Sequence, residues 1–359
     1  MAGSCSELVM SARSPRPDRP PHGAAGFTLV ELMVASGAAM VLLAATFTLM
    51  GSIFDSNSTM TLVLETQHKV RVALNELARE VTRAGTGISS AGITIPNGNN
   101  SSAIPRAGSG LGLGNLATPN NVLSILVPGD GVGPTISGVA TDAITVVTVD
   151  QTSPNWTIDG ITPAGNNVDW IEDISTGAYQ QFLGDLLLFT NVNASVFGQI
   201  TNVQTSGNNN SSIFASSDPL NFNQPSAANG NINALANPGN PVTWPPTTAT
   251  RIRIMTYYLD NTDAAHPKLM RKINSAASQV VAEDIYTLQF SYDLFDFDNN
   301  VDTANQSTTA SPNQIRAVSI AIDGRSSDLN TRTGDYYRFG LVSKVNVRNA
   351  TFRNRYDGG

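Results

Sequence analysis

Residues 27–50 form an apolar run of about 24 residues whose one charge is Glu31. A helix needs about 20 such residues to cross a bilayer, so this run is long enough to span one. A carboxylate inside such a span costs about 2 kcal/mol or more and asks for a function and a partner. A short basic leader precedes the run, with Arg13, Arg16 and Arg19 against Glu7 and Asp18. A secretory signal peptide places its small-residue cleavage site after the apolar core. Here Gly23, Ala24, Ala25 and Gly26 come before it. Cutting after Gly26 would leave the hydrophobic segment on the mature chain, with a new ammonium on Phe27 close to Glu31. In hydrocarbon each charge is expensive alone and much cheaper when neutralised by its opposite. Pairing between subunits would therefore favour stacking. The alternative is a simple signal anchor in which Glu31 is tolerated near the interface.

The stretch Gly26-Phe27-Thr28-Leu29-Val30-Glu31, basic before and apolar after, resembles the class III signal of type IV pilins and type II secretion pseudopilins. The resemblance implies cleavage between Gly26 and Phe27 by prepilin peptidase and N-methylation of Phe27. It implies that Glu31 pairs with the N-terminal amine of a neighbouring subunit. Other major and minor pilins and an inner-membrane assembly platform would then be the partners. The chain would sit as a single-pass protein of the inner membrane with an extracytoplasmic head, and at the cell surface once assembled.

The chain has 359 residues and a formal charge of −7. Loss of the leader takes the charge to about −8. That balance argues against nucleic acid as a partner, because phosphate binding calls for clustered Lys and Arg. Cys5 lies in the leader, so the mature chain would have no disulfide or thiol chemistry, and only His68 and His266 would remain for histidine chemistry.

From Phe27 the pattern predicts one helix to about Arg83, or about 85 Å at 1.5 Å per residue. In its second half Val63, Val70, Leu74, Leu77 and Val81 fall on one stripe. Glu65 and Lys69 form an i,i+4 pair expected on the outer surface. Gly51-Ser52 is a pair of the kind that kinks helices, and Gly85 and Gly87 supply the stop. Many major pilins carry a helix-breaking proline near the position of Thr48; this chain has none between Phe27 and Ile95.

Residues 86–250 hold Arg106 as their one basic residue against nine acids. Strand-like runs occur at 122–127, 143–149, 185–189 and 196–203, separated by polar stretches such as 208–212 and 227–246. The glycine-rich 108–114 lacks dinucleotide-binding spacing and reads as a flexible loop. From Arg251 onward, four segments alternate with period two, around 252–258, 288–294, 318–322 and 339–347. They predict an antiparallel sheet with one buried face, packed on the amphipathic helix half. The fold class is therefore α+β. The divisions are a leader (1–26), a transmembrane or filament-core helix half (27–50), an amphipathic half (51–85), a polar loop-rich β region open to being an insertion (86–250), and a sheet-forming head (251–359).

Tyr257-Tyr258-Leu259, Leu269-Met270-Arg271, Val281-Ala282-Glu283-Asp284-Ile285 and Phe290-Ser291-Tyr292-Asp293 resemble the C-terminal half of PilW-type minor pilins. Arg79-Glu80-Val81-Thr82-Arg83-Ala84-Gly85 and Val345-Asn346-Val347-Arg348-Asn349 fit the same pattern. The resemblance covers about half the chain and implies a minor pilin that joins or primes a type IV pilus. A J-type minor pseudopilin of a type II secretion system shares much of the layout. A pilus-displayed adhesive protein, binding through the Asn-rich middle, is the competing reading from another class.

Asp296, Asp298, Asn300 and Asp302 place oxygen side chains at alternate positions, as calcium loops do. Val301 stands where an EF-hand needs glycine and no glutamate closes the loop, which leaves a looser calcium site or a solvated acidic turn. His266 reads as a surface turn residue. Arg251, Arg253, Arg271, Lys272 and Arg338 are candidates for orienting contacts with the acidic middle of a neighbour. The sequence contains no G-x-S-x-G, H-E-x-x-H, cysteine pair or P-loop, which speaks against an enzyme and implies no cofactor beyond the calcium alternative.

Overall fold

A computed structural model describes residues 26–96, 104–106, 112–162, 166–206, 209–224, 230–296 and 299–351. Helix α1 spans Leu29–Arg83, and the chain divides within it into two compact units, Met1–Ser56 and Asn57–Gly359. Helical residues continue through Gly51-Ser52, where the Ser52 hydroxyl donates to Leu49 O at 2.8 Å.

Among the described residues of the second unit, fifteen strands make two large antiparallel sheets, and four short ones pair as two-stranded ladders. The larger has eleven: β1 (Leu126–Gly129), β2 (Ala143–Val149), β3 (Trp156–Ile161), β4 (Asn167–Trp170), β5 (Leu186–Thr190), β6 (Ser195–Gln199), β7 (Asn202–Ser206), β8 (Asn209–Ile213), β9 (Thr248–Asp260), β10 (Lys268–Ile273) and β11 (Gln279–Glu283). The smaller has four: β12 (Ile285–Asp296), β13 (Val301–Gln306), β14 (Ile315–Leu329) and β15 (Tyr336–Asn346), in the order β13-β12-β14-β15.

Strand β9 joins the two halves of the large sheet. Its first residues pair with β5 on one side and β3 on the other, and its later residues with β10 and β2. It also crosses residue 250, so the acidic middle and the C-terminal segment share one sheet. The four alternating segments are all strands, but they do not form one sheet. That of β9 belongs to the large sheet and those of β12, β14 and β15 to the small one. Nor does β9 have a single buried face. Ile252 and Ile254 enter one core, while Met255, Tyr257 and Leu259 enter another.

Packing explains the division. Val70, Ala73, Leu74, Leu77 and Val81 of α1 pack with Tyr257 and Leu269 of the large sheet and with Leu288, Phe290, Ile320 and Ile322 of the small one. Fully burying one such side chain contributes about 1.5–3 kcal/mol, so this stripe is the main bond between helix and sheets. Gly324 lets β14 approach, since a Cβ there would lie 2.5 Å from Val70. The helix stops at Gly85, whose φ of +72° suits glycine and whose N–H donates to Val147 O at 2.8 Å. A third core surrounds Trp156, Trp170, Phe189 and Phe214, with the Trp170 and Phe189 rings stacked at 6.0 Å.

Other sequence expectations need revision. The polar stretch 208–212 is largely strand, because Ser211-Ser212-Ile213 pairs with β4 and the Ser212 hydroxyl accepts from Trp170 Nε1 at 2.9 Å. The 196–203 run breaks into β6 and β7. Lys69 does pair with Glu65 at 2.7 Å, but it also turns inward to Asp284. His266 is half-exposed and bonded through Nδ1 to Asp284 Oδ1 at 2.7 Å. Arg251 and Arg253 meet Asp185 (2.8 Å) and Asp150 (2.7 Å), acids of the middle region of their own chain. Arg271 meets Glu76 of α1 at 2.8 Å. Of the glycine-rich 108–114, residues 108–111 lie outside the described residues.

Candidate functional site

Gly26, Phe27 and Glu31, the candidates for cleavage, methylation and assembly, come together at the start of α1. Gly26 is exposed, and Phe27 is 89 % exposed. Thr28 caps the helix: its hydroxyl accepts from the Glu31 N–H at 3.2 Å. Glu31 Oε2 in return accepts from the Thr28 N–H (2.9 Å) and hydroxyl (3.0 Å). This is a reciprocal capping box, which satisfies backbone donors that a helix start leaves open. Its signature, Thr then Glu three residues on, is present in Thr28-Leu29-Val30-Glu31.

The helix behind this cap is apolar and unburied. Its best 18-residue window has a mean hydropathy of 2.0 and none of it is buried. Leu29, Met33, Met40, Leu42 and Phe47 are each at least 65 % exposed. The helix is thus long and apolar enough to cross a membrane. A helix apolar on all sides belongs in lipid or among other apolar helices, not in water. Its hydroxyls agree with that. Ser36, Thr46 and Thr48 donate to Met33 O (3.0 Å), Leu42 O (2.8 Å) and Ala44 O (2.9 Å) of the same helix. A hydroxyl bonded back to its own helix needs no water, which a hydrocarbon environment demands. After this accounting the Glu31 charge is what remains unneutralised in the apolar half.

The calcium candidates are arranged differently. Asp296 ends β12 opposite Val301, and Asp302 of β13 lies opposite Phe295. Directly opposed residues share a face and neighbours alternate, so Asp296 and Asp302 point to opposite faces of the hairpin. Asp296 Oδ2 accepts from Asn299 Nδ2 at 2.7 Å, and Asn300 takes a left-handed turn conformation at φ +52°. Asp298 lies outside the described residues. Among the described residues no three His, Cys, Asp or Glu side chains gather as a metal-binding group.

Buried polar groups elsewhere in the second unit serve the fold. Arg106, 2 % exposed, donates to Pro128 O (2.7 Å) and Thr145 Oγ1 (3.0 Å), and burial pulls its pKa down to about 10. Burial pushes the Asp142 carboxyl up despite N–H bonds from Gly131 (2.8 Å) and from Phe290 (2.7 Å), the second of which links the two sheets. Comparison with protein-family models, with curated proteins and with solved structures found no match.

Proposed function

We propose that the chain is a pilin-class filament subunit, a PilW-like minor pilin that joins or primes a type IV pilus. One observation carries the reading: an unburied apolar helix with a single carboxylate one turn from a potential new N-terminus, on an α+β head. Cleavage after Gly26 would place the Phe27 ammonium beside Glu31. The two charges on one chain sit at the same end of the rod, where a staggered neighbour could exchange partners with them. Prepilin peptidase, other pilins and an inner-membrane assembly platform are the partners of this reading, and no catalytic step is assigned. Neutralisation in lipid favours such pairing over solitary insertion.

The test is the N-terminal residue and mass of the protein recovered from its own cells. An N-methylated Phe27 start supports the reading. An intact leader in cells with active prepilin peptidase overturns it and leaves a signal-anchored protein.

A further inference from the structure

Two depressions in the second unit share Arg79 and Arg271. The first, of about 290 Å3, is walled by Arg79, Arg83, Arg253 and Arg271 against the carboxylates of Glu80 and Asp150, with Thr148 and Gln151 at the end of β2. The second, of about 470 Å3, is lined by Val72, Asn75, Glu76, Val280 and Val281 besides the two shared arginines. Glu76 pairs with both Arg79 and Arg271 at the edge of this recess, so four guanidinium groups face three carboxylates and a net positive charge remains in a chain that is −7 overall.

The acceptors there run out before the donors. Each guanidinium carries five N–H donors. Arg253 gives one to Asp150 at 2.7 Å, and Arg271 gives one each to Glu76 (2.8 Å) and Gln279 (2.7 Å). Arg83, 59 % exposed, reaches Glu80 only at 3.9 Å. Arg271 Nε is buried without an acceptor. Planar guanidinium forks match carboxylates bidentately, and several aimed into one recess select an oxyanion over a neutral ligand.

We propose that this recess binds a carboxylate-bearing ligand, held by Arg83 and the free edge of Arg253, with the positive charge of Arg271 beside them. The carboxylate has two sources, a free polycarboxylate or acidic side chains of another protein chain. Val72, Val280 and Val281 of the adjoining depression would meet the uncharged part of the second. The site stands on the head alone and does not depend on the filament reading.

The test measures binding of citrate, and of the capped peptide Asp-Asp-Val-Val, to the full chain in neutral detergent by calorimetry at low ionic strength. Binding of either that weakens with added salt, and falls at least about tenfold in Arg83→Glu, supports the site. Arg83→Gln falls less. Arg338→Gln, on the outer face of the small sheet, leaves binding unchanged. Citrate bound as tightly as the peptide identifies the free anion as the source; a peptide preference identifies a partner chain. No binding by either probe, or equal binding by Arg83→Glu and the parent with the same thermal midpoint, overturns the proposal.

Discussion

Lys69 Nζ lies 2.8 Å from Asp284 Oδ2, joining the helix to the junction of the two sheets across 215 positions of sequence. The Asp284 side chain is 2 % exposed, and its other oxygen meets His266 Nδ1 at 2.7 Å. Removing one partner of a buried pair costs more than the pair is worth, because the other charge is left uncompensated. Lys69→Met should therefore destabilise the second unit by about 2–3 kcal/mol, somewhat less than for a fully buried pair because Lys69 is partly exposed. Asp284 has φ +60°, which asparagine also adopts, so Asp284→Asn removes the charge without straining the backbone. The double variant Lys69→Met, Asp284→Asn should lose less than the two single losses added together. Urea denaturation of the four proteins checks this, and strict additivity would refute the coupling.

Arg251 should be the costliest surface-named residue of the sheet. Its guanidinium pairs with Asp185 at 2.8 Å, donates to Gln180 O at 2.7 Å, and lies 5.2 Å from the Trp156 ring centroid. Burial already pushes the Asp185 carboxyl up, with Arg251 pulling it back. Arg251→Met keeps the stem and loses the charge. It should lower stability by about 2–4 kcal/mol and perturb Trp156 fluorescence. A variant within about 0.5 kcal/mol of the parent would show that the pair is only a surface contact.

Arg253 should show its value through pH. Burial raises the Asp150 carboxyl, but bonds from Thr152 and Arg253 and the nearby guanidinium charge outweigh it and hold Asp150 below the usual carboxylate range. A depressed folded pKa gives stability that is present above the unfolded value of 3.8 and is lost as pH falls through the folded one. Arg253→Gln should thus be less stable than the parent by a constant margin from pH 7 to about 5. The gap should close as pH drops below the unfolded value. Thermal midpoints across that range check it, and a gap that persists at the acid end would assign the loss to packing.

The parts of the fold that were legible in the sequence are those set by local pattern. The run 27–50 and the stripe through Val70, Leu74, Leu77 and Val81 fix α1, because helical spacing is a short-range property. The alternation at 288–294 and 318–322 likewise gives β12 and β14. Membership of a sheet is a long-range property. β9 alternates like β12, yet it pairs with three strands from the middle of the chain as well as with β10, and is buried on both faces. The strand at Ser211-Ser212 has low intrinsic β preference and exists because β4 and Trp170 supply its partners. The long-range partners of Arg251, Arg253 and Lys69 were invisible for the same reason, whereas the local pair of Lys69 with Glu65 was legible. At the helix start Gly26, Phe27 and Glu31 were legible as a linear motif, whereas the face on which Asp302 points depends on hairpin register.

Glu31 caps the helix, and under the proposed function it also supplies a charge for subunit pairing; conservative variants divide the two. Three residues after the N-cap in the capping box, it accepts from Thr28 N–H at 2.9 Å, a task that glutamine also performs. As a charge in an apolar segment it would, under the proposed function, neutralise a neighbour's ammonium, which an uncharged glutamine would not do. Thr28→Ala removes the cap hydroxyl at a cost of about 1 kcal/mol to the helix start and leaves the charge in place. If the charge drives subunit pairing, Glu31→Gln should reach the membrane in normal amounts yet enter filaments at least about tenfold less than the parent, a loss typical of an unpaired intramembrane charge. Thr28→Ala should enter them nearly as well. Membrane fractions and sheared surface fractions from the same cells give both quantities. Equal filament entry by Glu31→Gln and the parent would reduce Glu31 to its cap.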